Sequence, residues 1–163
     1  MVTLPDTTFT SSMPLSEVLV VMTKAEMLSI CKKLDLYVSP NVKKSETARR
    51  LAEEMLDQPL VILCTLCKNE LQLAKDFVDV GPNAYLTRKM RKTFYKLQKY
   101  GLVLTYEDWE KHEWRMLMPD GVREVLSANL PGLLTLVEKI GRVPSYKELR
   151  MMIMLDSFMH STE

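Results

Sequence analysis

Residues 88–99 read RKMRKTFYKLQK, six cationic side chains with no acidic residue among them, and this run constrains the chain more than any other stretch. Met90, Phe94, Leu97 and Gly101 fall on one line of a 3.6-residue repeat, while Arg88, Lys89, Arg91, Lys92, Lys96 and Lys99 occupy the remaining circumference. The spacing predicts an amphipathic helix with a basic outer side. Thr87 can cap its start, and Gly101 suits the position just past its end. Leu102-Val103-Leu104 and Trp114-Arg115-Met116-Leu117-Met118 then read as two short strands joined by a charged turn.

The formal net charge is only +1, so the arrangement of charge matters more than its total. After the basic run, Glu107, Asp108, Glu110 and Glu113 stand against Lys111 alone, which makes the turn acidic. With 163 residues, 47% hydrophobic, 26% charged and five glycines, the composition is that of a folded, mostly helical chain, either one domain or two small ones sharing a core. No run of about 18 apolar residues is present, which argues against a membrane-spanning helix. Residues 15–22 are too short and too interrupted for a secretory signal, so a cytoplasmic location is expected. Cys31, Cys64 and Cys67 cannot all pair, and reduced thiols are the simplest expectation.

In chain order, residues 1–14 hold four threonines, two serines and two prolines, and read as a loose arm. Leu15, Val18, Leu19, Val20 and Val21 form a short apolar docking segment. Thr23 and Glu26 have capping-box spacing ahead of a helix that buries Met27, Ile30, Cys31 and Leu34. Tyr37-Val38-Ser39-Pro40 is extended, because a residue before proline is pushed out of the helical region. A second helix from about Val42 turns Ala48, Leu51, Ala52, Met55 and Leu56 inward and stops near Pro59. Residues 60–80 predict a central core helix with a break near Asn69, followed by a turn at Gly81-Pro82-Asn83. Asp120 starts a short helix that ends at Pro131-Gly132. Leu133, Leu136, Val137 and Ile140 pattern another, which ends at Gly141. Ser145 and Glu148 form a second capping box ahead of a methionine-rich last helix. That helix carries apolar residues on more than one face; either it is buried on several sides, or it contacts a second molecule and makes the chain a homodimer.

The helix–extended–helix stretch at residues 22–56, MTKAEMLSICKKLDLYVSPNVKKSETARRLAEEML, resembles the SAP and Rho-N-terminal class of small nucleic-acid-binding motifs. The resemblance implies that Lys43 and Lys44, at the start of the second helix, approach phosphate. The link carries Pro40-Asn41 where members of that class commonly have glycine. A basic helix running into a β-hairpin resembles the second half of a winged-helix unit. The expected fold class is therefore mainly α with one short β-hairpin: a loose arm at 1–14, a SAP-like unit at 15–57, and a winged-helix-like half at 58–163 with its C-terminal helices.

The reading that follows is a nucleic-acid-binding protein, DNA ahead of RNA, with regulation of transcription or of a mobile element as its setting. Lys43, Lys44, Arg88, Lys89, Arg91, Lys92, Lys96 and Lys99 would contact phosphates, with Tyr95 and Gln98 available for closer contacts. The alternative is a non-enzymatic adaptor, in which the basic face is merely solvated and a protein partner meets the acidic turn at 107–113 or the last helix. Cys64 and Cys67 form a CxxC inside an apolar run and read as buried structural cysteines, since a zinc site needs about four ligands and His112 and His160 lie far off in sequence. No nucleotide-loop, metalloprotease or nucleophile-elbow motif is present, so neither an enzyme nor a metal or other cofactor is expected.

Overall fold

A computed structural model describes residues 1–161. It is mixed α/β, with a four-stranded sheet where the sequence predicts one hairpin. The N-terminal helices follow the sequence closely. After the short α1 (Leu15–Leu19), α2 spans Lys24–Leu34, and the Thr23 hydroxyl accepts the Glu26 amide at 3.1 Å. Asp35 ends α2 in the left-handed region at φ 54°. α3 (Lys44–Asp57) buries Ala48, Leu51, Ala52 and Met55 and packs on both preceding helices.

The long apolar run divides earlier than expected. α4 (Pro59–Leu63) begins on a proline, where a missing N–H costs nothing, and α5 (Lys68–Val80) starts after a turn through Cys64 and Cys67. Thr65 favours that break: its hydroxyl sits 2.6 Å from the Ile62 carbonyl and 3.0 Å from the Tyr100 hydroxyl.

The basic run is not a helix. Residues Leu86–Lys89 form strand β2, residues 90–95 are irregular, and only Lys96–Lys99 make one helical turn, α6. A helix here would set Arg88, Lys92 and Lys96 four residues apart with no intervening acid, so its pairs would repel. Thr87, Thr93, Phe94 and Tyr95 also favour extended backbone. β2 instead pairs antiparallel with β4 (Glu113–Leu117), from Leu86 opposite Met116 to Lys89 opposite Glu113, and Thr87 lies mid-strand rather than at a cap. β4 also pairs with β3 (Leu104–Asp108), completing the hairpin. Gly101 does occupy the expected position past the helix, with φ 72° and its amide 3.1 Å from the Gln98 carbonyl.

Residues 1–14 are not a loose arm. β1 (Val2–Thr3) adds parallel to β3, giving the sheet order β1-β3-β4-β2. Further on, buried Ser11 bonds to Asn83 and Asp120. Its amide donates to Asn83 Oδ1 at 2.9 Å, its hydroxyl to Asp120 Oδ1 at 2.6 Å, and its carbonyl accepts the Asp120 amide at 2.7 Å. The arm's polarity concealed this, because its hydroxyl and backbone groups bond to protein rather than water.

α7 (Asp120–Ile140) runs unbroken through Pro131. Leu126, Leu130, Leu133 and Val137 continue one buried stripe across that residue, and Pro131 itself is exposed, so the carbonyl it leaves unpaired belongs to the solvent side. Gly141 ends α7 at φ 80°, and the Ser145–Glu148 capping box starts α8 (Tyr146–Ser161). Buried residues from the arm, the helices and the sheet form one continuous cluster.

Two measurements test this account. A Cβ at Gly101 would lie 2.8 Å from Leu19 Cδ2 in a backbone region that side chains avoid, so Gly101→Ala should cost about 1–3 kcal/mol in urea unfolding. Hydrogen bonds from Ser11 and then Arg123 hold the Asp120 carboxyl below the usual carboxylate range. Its folded pKa lies beneath its unfolded one, so this stabilisation is present at neutral pH and is lost as pH falls through the folded value. Asp120→Asn should therefore flatten the loss of stability seen by circular dichroism below about pH 4.

Candidate functional site

Paired residues of antiparallel strands share a face, so Arg88, Trp114 and Glu107 lie on one side of the sheet, and Lys89, Glu113 and Asp108 on the other. Thr105 and Met116, both buried, belong to the first side, which faces the core. At the hairpin end this core face is left open. A hollow of about 530 Å³ lies there, walled by Phe94, Trp109 and Trp114 together with Arg91, Lys92 and Glu107. The Met90 amide donates to the His112 carbonyl at 2.9 Å and ties the irregular segment to the hairpin turn.

The polar groups beneath the segment set its path. Glu70, buried on α5, accepts the Lys96 amide at 2.9 Å and so anchors the start of α6. Gln98 is fully buried; its Oε1 accepts the Tyr95 amide at 2.8 Å, and its Nε2 donates to Thr105 Oγ1 at 3.2 Å. Gln98, expected to make closer contacts with a ligand, is here buried and bonded to the protein's own groups. Trp114 is 1% exposed, with the Phe94 ring 5.4 Å away and the Tyr95 ring edge-on at 6.0 Å. Its Nε1 is the one buried side-chain nitrogen or oxygen without a hydrogen-bond partner among the described residues. Such a group costs about 1–3 kcal/mol.

The expected cations do not share one face. Arg88 is tied to Asp76 on α5 at 2.7 Å. Lys89 is exposed on the outer side of the sheet opposite Glu113. Arg91 lays its guanidinium 3.7 Å from the centre of the Tyr95 ring, and Lys92 is exposed at the hollow. The Lys96 ammonium donates to the Thr65 carbonyl at 2.6 Å, and Lys99 lines a separate hollow with Lys33. Lys43 and Lys44 are exposed at the start of α3, where the helix dipole opposes them, while Arg49 and Arg50 further along are committed to Glu46. The acidic turn is partly neutralised, since Arg115 pairs with Asp108 at 3.1 Å.

Sequence reading missed the aromatic wall. The signal was there in WEKHEW, residues 109–114, where a tryptophan stands in a turn too charged to bury it. Trp109 is 65% exposed.

Two further surfaces bear on function. Met151, Ile153, Met154 and Leu155 of α8 are exposed, and only Leu149 among its described side chains is buried. The expectation of two buried CxxC cysteines is corrected: Cys67 is exposed at the N-cap of α5, and Cys64 is half-buried. Burial pushes the Cys64 thiol up to about 11, which keeps it protonated at neutral pH and a poor nucleophile. Among the described residues no cluster of three or more His, Cys, Asp or Glu is placed to hold a metal, and no helix is long and apolar enough to cross a membrane. The side chain of His160 lies outside the described residues.

Comparison with protein families, with curated proteins and with solved structures finds no match to this chain.

If Gln98 is structural, Gln98→Ala should lower stability by about 1–3 kcal/mol in urea unfolding through the unmet Tyr95 amide. A variant of unchanged stability would return Gln98 to the surface.

Proposed function

We propose that this protein binds nucleic acid in the cytoplasm, holding phosphates at the hairpin end of its sheet through Arg91 and Lys92. One observation carries the reading. Both side chains are exposed beside exposed aromatic rings, and neither is ion-paired to a carboxylate among the described residues. A guanidinium and an ammonium without acid partners beside stacking surfaces suit a polyanion that carries rings. Lys43 and Lys44 supply a second exposed pair.

The resemblances are kept as part of this reading. Helices α2 and α3, joined by an extended link, support the SAP-like assignment of residues 22–56. The sheet order β3-β4-β2, with a hairpin between β3 and β4, supports a winged-helix ancestry for the C-terminal half. In such an ancestry α6, at four residues, is what is left of the helix that would read DNA. A regulatory role in transcription belongs to the same proposal.

A second reading is favoured by α8, whose exposed Met151, Ile153, Met154 and Leu155 suit a protein partner or a second copy of the chain. It makes the protein an adaptor and leaves the cations solvated.

Fluorescence anisotropy with a labelled DNA duplex and an RNA of similar length, each at two salt concentrations, separates the two. Under the first reading binding weakens steeply with salt. Arg91→Glu with Lys92→Glu should lower affinity and reduce the slope of log K against log salt by about two. Absence of binding even at low salt gives the function to α8.

A further inference from the structure

Phosphate contacts alone leave the hollow unexplained. A chain gains nothing from holding two large rings in water, yet Phe94 and Trp109 are 39% and 65% exposed on its wall. Trp114 lines the same hollow but is 1% exposed, and it serves as the surface on which Phe94 and Tyr95 rest. Two accessible features therefore meet in one place: the exposed π faces of Phe94 and Trp109, and the exposed cations Arg91 and Lys92.

We propose that this hollow takes one unpaired base of a single-stranded nucleic acid. The base stacks on Trp109 and Phe94 and sets its flanking phosphates against Arg91 and Lys92. Glu107, the one acid in the wall, can accept a hydrogen bond from the base's amino or imino group. This inference rests on the nucleic-acid reading above and narrows it.

The geometry favours a single strand over a duplex. Reading the major groove takes a helix or ribbon that enters it, and α6 has four residues, a span of about 6 Å. The hairpin that would reach a second groove carries Glu107, Glu110 and Glu113, which repel the closely spaced phosphates of a duplex. An unpaired base offers what a paired one hides, a free π face and a free hydrogen-bonding edge. An acidic aromatic peptide would meet the same cations and rings, and it is the competing occupant that the titration includes.

The chain's two tryptophans both line the hollow, so the protein's own fluorescence reports on its occupancy. The full chain is titrated with a mixed-sequence single-stranded DNA 12-mer, the same 12-mer carrying abasic positions, the matching duplex, and an acidic tyrosine-containing peptide. The intact single strand should quench tryptophan emission and bind more tightly than the abasic strand or the duplex. Trp109→Ala should weaken single-strand binding about 5- to 150-fold, with Trp109→Phe restoring most of it. Trp109 is exposed, so these variants should keep wild-type unfolding curves. Equal binding of intact and abasic strands, or no effect of Trp109→Ala and Phe94→Ala while Arg91→Glu with Lys92→Glu still abolishes binding, overturns the base pocket and leaves the phosphate reading standing. Quenching by the peptide but by no oligonucleotide overturns both, as does failure of every nucleic acid to bind at low salt.

Discussion

The pairing of Leu86–Lys89 with strand β4 is the interaction on which the rest of the site depends. It draws the front of the basic run into the sheet, where backbone bonds to β4 replace the intrahelical bonds that like charges would have weakened. Once β2 is fixed at the sheet edge, residues 90–95 must cross from that edge toward α6. Phe94 and Tyr95 then stand against Trp114 instead of lying on a helix stripe. Arg91 is carried with them, and its charge rests on the Tyr95 ring, an attraction that needs no acid.

A crossing segment of this kind has few backbone partners of its own, and three polar side chains supply them. Glu70 reaches up from α5 to the Lys96 amide, Gln98 turns back to the Tyr95 amide, and Thr105 on β3 receives the other end of Gln98. All three are buried, and each has at least one hydrogen-bond partner. A network that is satisfied in this way fixes one path for the chain, whereas Trp114 Nε1, its neighbour, has no such partner. The contrast is local: the protein meets the hydrogen-bonding needs of the segment's scaffold and leaves one buried donor beside it unmet.

Helices α2 and α3 and the starts of α4 and α8 were readable because their signals are local. Thr23 with Glu26, the apolar spacing of α2 and α3, Pro59 and the Ser145–Glu148 pair each specify structure within four or five residues, and the structure follows them. Where distant partners decide, local reading went astray. Nothing near Val2 announces that it will lie beside Leu104, and nothing near Ser11 points to Asn83 and Asp120. The same holds for residues 88–99, where a helical period in Met90, Phe94 and Leu97 lost to a strand partner some 25 residues away in sequence. Pro131 erred in the opposite direction: a strong local breaker was overridden by a buried stripe that continued past it. Of the residues expected to form the site, Arg91 and Lys92 come together at the hollow, while Gln98 and Lys96 are committed to the protein's own groups.

Charge at the hairpin bears on the form of nucleic acid that could approach it. Asp108 is held by Arg115, so the acid left in the wall of the hollow is Glu107, with Glu110 further along the hairpin turn. At physiological salt their field decays within about 8 Å, so only phosphates brought that close oppose binding. A duplex carries one charge per about 1.7 Å of axis and cannot bend away from the tip over so short a distance. Under the proposed reading a single strand can, because its flexible backbone would be free to leave the hollow past Arg91 and Lys92 and turn away from the acids. The acidic residues that count against a groove-reading wing thus favour a flexible strand, and they do so without requiring a large positive charge on the whole protein.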